Sequence, residues 1–185
     1  MKTKKTTEYK IESNIGKRGY GPSAIKIFVK NRGIVLTEAS LVLVHKETSK
    51  VVAIGNEAEQ AMESAGDQIA AINPLRRGII ADYMVAVVMF RFFLQKALGC
   101  TESHFKKMYY SYLRKPRIAV CLPEPADEVT EVEKKAFEDC FYQVGAGAVI
   151  LVMAPLEQAA ECLSEKYPVV IGIEWSGSSR DEQCF

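Results

Sequence analysis

The second half of the sequence alternates short apolar runs with amphipathic segments, and this alternation constrains the fold more than any other feature. The apolar runs cover residues 118–122, 148–153 and 169–173, and each has the length of a buried strand. Helix start signals open the segments between them. The order strand–helix–strand–helix–strand predicts parallel pairing with helices on the sheet faces, the layer pattern of α/β proteins.

One helix is predicted over residues 130–145. Thr130 and Glu133 have the spacing of a capping box, in which each side chain accepts a hydrogen bond from the other residue's backbone N–H. Gly145 can end the helix. The predicted core stripe at helical spacing consists of Val132, Ala136, Phe137, Cys140, Phe141 and Val144.

Two further helices are predicted from their end signals. Asp82 can cap a helix over residues 82–98, and Gly99 can stop it. Apolar side chains lie nearly all around this helix, so we expect it to be buried within the fold. Pro155 suits the first position of a helix over residues 155–166.

The first half is predicted to begin with a hairpin. β-Branched and aliphatic residues dominate 24–29 and 33–44, with a turn signal between them. We expect a third strand over residues 51–54 to join the same sheet as the later strands. Asn56 can then cap a short helix through its side chain.

Composition and charge narrow the classes of function. The 185 residues suit one domain. The net charge of +1 gives no overall electrostatic field that would favour binding of nucleic acid. Residues 101–115 are basic and tyrosine-containing, but no glycine-aromatic motif accompanies them, so a solvated connection is favoured over an RNA site. The five cysteines lie far apart in the sequence, which argues against a zinc site. Without a signal peptide or a bilayer-spanning run, we expect a cytoplasmic protein.

A series of sequence blocks along the chain resembles one known family. In order they read RGIVLTEAS at 32–40, KETSKVVAIG at 46–55, NPLRRGIIAD at 73–82, KPRIAVCLP at 115–123 and TEVEKKA at 130–136. They closely resemble the first half of the MreB family of bacterial actin-like cell-shape proteins. The resemblance implies the first half of the actin (ribonuclease H-like) fold, an α/β fold with a mixed sheet flanked by helices.

The resemblance also implies how the chain is divided. Residues 1–8 are predicted to be a disordered, basic N-terminus, and residues 9–175 an actin-like half-domain. A small subdomain is expected to be inserted at about 40–81, and residues 176–185 form a polar tail. The basic N-terminus is interpreted as a solvated end, with contact to anionic lipid at the membrane periphery as the alternative.

The family's first phosphate loop reads Asp-Leu-Gly-Thr, and it is altered here. One register places NIGK at 14–17 on this turn, and a gapless register places GYGP at 19–22 there. Both registers lose the aspartate, and Asn14 is neutral, so it cannot supply the charge that Mg²⁺ requires. Gly16 and Lys17 can still contact an anion, although a solvated hairpin loop is the favoured interpretation.

The family's second phosphate loop reads Asp-Ile-Gly-Gly-Gly-Thr-Thr after a buried strand. Here Gly172 takes the place of the aspartate, while Glu174 and Trp175 replace glycines. Side chains at those positions obstruct a close approach of the backbone to phosphate. Gly177 and Ser178 retain a partial match to the loop.

One catalytic element of the family persists. The resemblance implies that Glu133 matches a glutamate that helps to position the attacking water. The capping box explains the same residue without catalysis, and we favour that interpretation. No metal-binding set is predicted elsewhere.

These departures favour a non-catalytic, actin-like interaction or scaffold module related to bacterial cell-shape maintenance, without a cofactor. The resemblance implies actin-like filament proteins or a second copy of the chain as partners. The alternative is a residual ATP-binding, Mg²⁺-dependent ATPase completed by another chain, in which Glu133 positions water and Lys17 contacts phosphate. A third hypothesis is a folded product without a retained role. ATP hydrolysis by this chain alone is not expected, because the family's second half closes the cleft.

Overall fold

The computed structural model describes residues 23–99, 115–122 and 129–174. The strands and helices in these ranges, in chain order, are β1 (Ala24–Val29), β2 (Gly33–Ala39), β3 (Val42–His45), β4 (Val51–Ile54), α1 (Asn56–Met62), β5 (Ile69–Ile72), β6 (Leu75–Arg76), β7 (Ile79–Ile80), α2 (Tyr83–Leu98), β8 (Arg117–Cys121), α3 (Glu131–Val144), β9 (Ala148–Val152), α4 (Leu156–Leu163) and β10 (Val169–Glu174).

The main sheet has five strands in the order β2-β1-β10-β8-β9. Strands β8, β9 and β10 are parallel, and β1 is antiparallel to both β2 and β10. The three apolar runs of the second half are therefore strands of one mixed sheet, as predicted. Their helices α3 and α4 also form where the end signals place them, although Pro155 precedes the first helical residue of α4.

The prediction of a single sheet is wrong in the first half. The apolar stretch 33–44 is interrupted between β2 and β3, and β3 belongs to a separate sheet of order β4-β3-β5. At the break, the N–H of Ser40 donates to Ser23 (2.8 Å), and the N–H of Gly55 donates to Leu41 (2.8 Å). The buried Leu41 packs with the second sheet. These long-range contacts have no signature in a continuous apolar run.

The remaining strands were not predicted. Strand β5 completes the second sheet, and β6 and β7 form a hairpin of two residues each. Arg77 and Gly78 connect them with positive φ angles of 52° and 75°, which suits a tight hairpin turn. All these strands lie within residues 40–81, whose status as an inserted subdomain stays a prediction.

Helices cover both faces of the main sheet. Helices α2 and α3 pack on one face, where the rings of Phe90 and Phe141 lie 4.7 Å apart. Helix α4 packs on the other face, around Val170 and Cys121. Two local patterns were read correctly. Asp82 accepts a hydrogen bond from Val85 at the start of α2, and both α2 and α3 end at glycines with positive φ.

Two burial predictions for the helices are wrong. Helix α2 is not buried all round, since Met84 and Val88 on one side are exposed. On α3, Phe137 and Phe141 are fully buried as predicted, but Val132 is 80% exposed. Val132 precedes Phe137 by five residues, which at 3.6 residues per turn places it about 140° away from Phe137 around the helix.

The start of α1 also differs from its prediction. Asn56 is the first residue of the helix rather than its cap, and its backbone N–H donates to the Glu38 carboxylate (2.7 Å). Glu38 is buried and also accepts from Lys96 of α2 (2.6 Å). The side chain of Asn56 instead bonds the backbone of Thr37 and Ala39. A carboxylate from β2 therefore joins α1 to α2.

Candidate functional site

The C-terminal ends of the parallel strands β8, β9 and β10 lie side by side along one edge of the main sheet. In α/β proteins, ligands bind at this edge, beyond the carboxyl ends of the strands. Their last residues there are Cys121, Val152 and Glu174. Strand β1 starts at the same edge, because Ala24 is the register partner of Glu174. This edge is the candidate position for the phosphate chemistry that the sequence resemblance implies.

Gly172 lies inside β10, between Lys26 of β1 and Cys121 of β8. A Cβ atom at this position would lie 3.1 Å from the Cβ of Leu156 on α4. That separation is tighter than ordinary van der Waals contact, so the space beside Gly172 is filled by α4. The glycine in the predicted place of an aspartate therefore serves close packing of α4 on the sheet.

Glu174 forms an ion pair at the sheet edge. Its carboxylate accepts a hydrogen bond from Lys26 Nζ at 2.7 Å. This bond raises the pKa of Lys26 above its ordinary value, against a smaller opposing effect of desolvation. Both side chains are partly exposed, and an exposed pair of this kind contributes little to stability. The pair links β1 and β10 at the end of their backbone ladder.

Glu133 is engaged in the capping box that the sequence predicted. Its Oε2 accepts from the backbone N–H of Thr130 (2.8 Å) and from the Thr130 hydroxyl (2.7 Å). In return, the N–H of Glu133 donates to Thr130 Oγ1 (3.3 Å). The side-chain hydrogen bond from Thr130, followed by the backbone one, lowers the pKa of Glu133. The carboxylate is therefore held ionised at the helix end.

The other predicted site residues lie outside the described residues. They are Asn14, Gly16 and Lys17 of the first loop, and Gly177 and Ser178 of the second. Their placement relative to Glu133 and their roles stay predictions.

Two buried thiols of the described residues are poor nucleophiles. Burial raises the pKa of Cys121 to about 11 and that of Cys140 to about 12, so neither thiol is a nucleophile at neutral pH. Within the described ranges, no three His, Cys, Asp or Glu side chains are grouped as metal ligands. None of the described helices is long and apolar enough to cross a membrane.

An exposed apolar surface joins the first turns of α2 and α3. We call it the α2–α3 surface, and its shallow depression is lined by Tyr83, Glu131, Val132, Lys135, Ala136 and Asp139. Val132 is its most exposed apolar side chain. Sequence reasoning missed this surface because it assigned Val132 to the core; the spacing of Val132 from Phe137 and Phe141 was the available signal.

Comparison with known proteins identifies the family. The sequence profile of the MreB/Mbl protein family matches residues 19–163. The chain is 34% identical over 135 residues to the cell shape-determining protein Mbl of Bacillus cereus, covering 73% of this chain and 37% of that protein. It is 32% identical over 153 residues to the cell shape-determining protein MreB of Pasteurella multocida, covering 80% of this chain and 39% of that protein.

A solved structure agrees with the sequence relatives. The crystal structure of MreB5 of Spiroplasma citri bound to ADP superposes with a TM-score of 0.57 at 26% identity, covering 76% of this chain and 37% of that one. The chain thus spans less than two fifths of the length of these relatives. Its mixed sheet with flanking helices is part of the actin-like fold. On the profile match over residues 19–163, the chain belongs to the MreB/Mbl family.

Proposed function

We propose that the chain is a non-catalytic, actin-like interaction module of the bacterial cell-shape cytoskeleton, acting in the cytoplasm. The α2–α3 surface carries this proposal. Val132 is 80% exposed, beside the aromatic ring of Tyr83 and within a rim of charged side chains. An apolar side chain inside a charged rim is the arrangement found at the centre of protein contact sites. The relatives' names as cell shape-determining proteins support a partner from the same cytoskeleton.

The contacts of Glu133 and Gly172 support the absence of catalysis. The Glu133 carboxylate accepts two hydrogen bonds from Thr130 through Oε2, so the helix cap accounts for its position and orientation without catalysis. Leu156 packs where a side chain at Gly172 would extend. Neither residue is arranged to hold a metal ion or a phosphate.

The alternative is a residual ATP-binding ATPase completed by another chain. Two observations favour it: Glu133 matches the family's glutamate, and the related MreB5 of Spiroplasma citri was crystallised with ADP. In this alternative, a second chain supplies the other wall of the cleft, and the partner rather than this chain provides most nucleotide contacts.

The proposal is tested by binding to filaments of a full-length MreB relative. Val132→Asp should weaken binding at least about tenfold, or about 1.4 kcal/mol, because a charge enters the apolar contact. Val52→Asp is the matched control, since Val52 is also exposed (54%) but lies on β4 of the second sheet. Equal binding of wild type and Val132→Asp, or equal loss in both variants, would contradict the proposed surface.

A further inference from the structure

Strand β10 is the middle strand of the main sheet, although it is the last element of the described chain. It is antiparallel to β1 along its whole length, from Ala24↔Glu174 to Val29↔Val169. On its other side it is parallel to β8. It also lies beyond residues 19–163, the part that matches the family profile.

Without β10 the main sheet is divided into two pairs, β2–β1 and β8–β9. The edges of β1 and β8 that face each other then have unpaired backbone N–H and C=O groups, which can form hydrogen bonds with another strand. The missing partner is remote along the chain: Lys26 and Glu174 are 148 positions apart. The other four strands of the sheet are therefore synthesised before the strand that joins them.

Side-chain contacts, as well as backbone hydrogen bonds, determine which strand fits between β1 and β8. Gly172 is required because Leu156 of α4 lies against it. An acidic side chain at the end of the strand is favoured by Lys26 Nζ, 2.7 Å from Glu174. The remaining residues of β10 are apolar and buried: Val169, Val170, Ile171 and Ile173. Residues 169–174 meet all these requirements, and a second copy of the chain carries the same segment.

We propose that two copies of this chain exchange β10 reciprocally, so that each copy completes the main sheet of the other. The short connection at 164–168 between α4 and β10 would act as the hinge. Exchange of an identical element creates a dimer from contacts that already exist in the monomer. Closure within one chain is favoured at low concentration, and exchange at high concentration, because the second copy competes with the tethered strand.

A charge reversal tests the exchange. Lys26→Glu places two carboxylates together in the closed monomer, and Glu174→Lys places two ammonium groups together. When both variants are mixed, unfolded and refolded at low salt, reciprocal exchange restores an opposite-charge pair in each half of the heterodimer. We expect the ratio of heterodimer to homodimer to exceed that of random pairing severalfold, as measured by light scattering and native mass spectrometry on tagged chains.

The matched control is the double variant Lys26→Glu/Glu174→Lys. It restores the ion pair within one chain, so refolding it with the wild type should give no excess of heterodimer. Wild-type dimer should increase with the protein concentration during refolding. Mixtures that refold only to monomers at every concentration, or heterodimers no more abundant than random pairing gives, would overturn the proposal. A dimer formed through the α2–α3 surface would lack this selectivity for charge.

Discussion

At the scale of single residues, Thr130 and Glu133 show how one local pair can be mistaken for catalytic chemistry. Three hydrogen bonds connect them, each between positions three residues apart. Two of those bonds satisfy backbone N–H groups at the start of α3 that have no helical partner. The capping role accounts for the presence of Glu133 at this position without a water-positioning role.

Removing either partner of the capping box should cost stability. We expect Glu133→Ala and Thr130→Ala each to lower the free energy of unfolding by roughly 0.5–1 kcal/mol, measured by denaturant titration. The double variant should lose less than the sum of the two, because the side chains act on one helix end. An ATPase rate that Glu133→Ala abolishes while stability is unchanged would instead identify a catalytic glutamate.

The same pair should make stability depend on pH. The pKa of Glu133 is lowered in the folded protein because Thr130 donates to the ionised carboxylate. Its stabilisation is therefore complete above the unfolded-state pKa of about 4.3 and is lost as pH falls through the lower folded-state pKa. The difference in stability between wild type and Glu133→Ala should shrink in titrations from neutral pH to about pH 3. A constant difference over that range would exclude the ionised cap.

Gly172 provides a packing prediction at the same scale. Gly172→Val should destabilise the fold by about 1–3 kcal/mol, because a side chain there presses against Leu156 in a well-packed interior. Leu156→Ala in the same chain should recover part of that loss by making room. Thermal unfolding of the two single variants and the double variant measures this coupling, and strictly additive effects would contradict it.

At the scale of elements, α3 has two faces with different roles. Phe137 and Phe141 are buried against α2 and the main sheet, whereas Val132 points away from them to solvent. The helix therefore both completes the core and presents the α2–α3 surface. Helix α2 likewise has an exposed side, which carries the apolar side chains of Met84 and Val88.

Alanine substitutions should separate these two faces. Phe141→Ala should cost about 3–5 kcal/mol of unfolding free energy, since it removes a buried ring packed on Phe90. Val132→Ala should change stability by less than about 0.5 kcal/mol, because its side chain is exposed. Denaturant unfolding of both variants checks the assignment, and a large loss for Val132→Ala would return that residue to the core.

At the scale of the whole molecule, the proposed module should not bind Mg²⁺–ATP with micromolar affinity. In the predicted alignment, neither phosphate loop keeps the aspartate of the family, and Thr130 engages the Glu133 carboxylate. Calorimetry and thermal unfolding with and without ATP and Mg²⁺ provide the test, because a ligand that binds the native state must raise the unfolding temperature. Mg²⁺-dependent binding near about 10 µM, or about −7 kcal/mol, would favour the ATPase alternative.

The sequence by itself determined the features that depend on neighbours a few positions apart. These features include the contact of Asp82 with Val85, the capping box of Thr130 and Glu133, and Gly145 at the end of α3. Because the partners lie a few positions apart, these helix ends could be predicted. The parallel strands of the second half could also be predicted from their uninterrupted apolar runs. The prediction that each is buried is wrong for β9, which lies at the edge of the sheet and is only half-buried. The phosphate-loop residues were assigned by resemblance to the family, and their geometry lies outside the described residues.

Only the tertiary structure decided which strands became neighbours. Residues 33–44 read as one strand, yet contacts of Ser40 and Leu41 with Ser23 and Gly55 divide it between two sheets. Nothing near β10 in the sequence places it between β1 and β8, because its partners lie far along the chain. Which strands pair depends on the unpaired backbone groups and the core side chains that remote segments provide. A pattern within one segment carries no information about those remote segments.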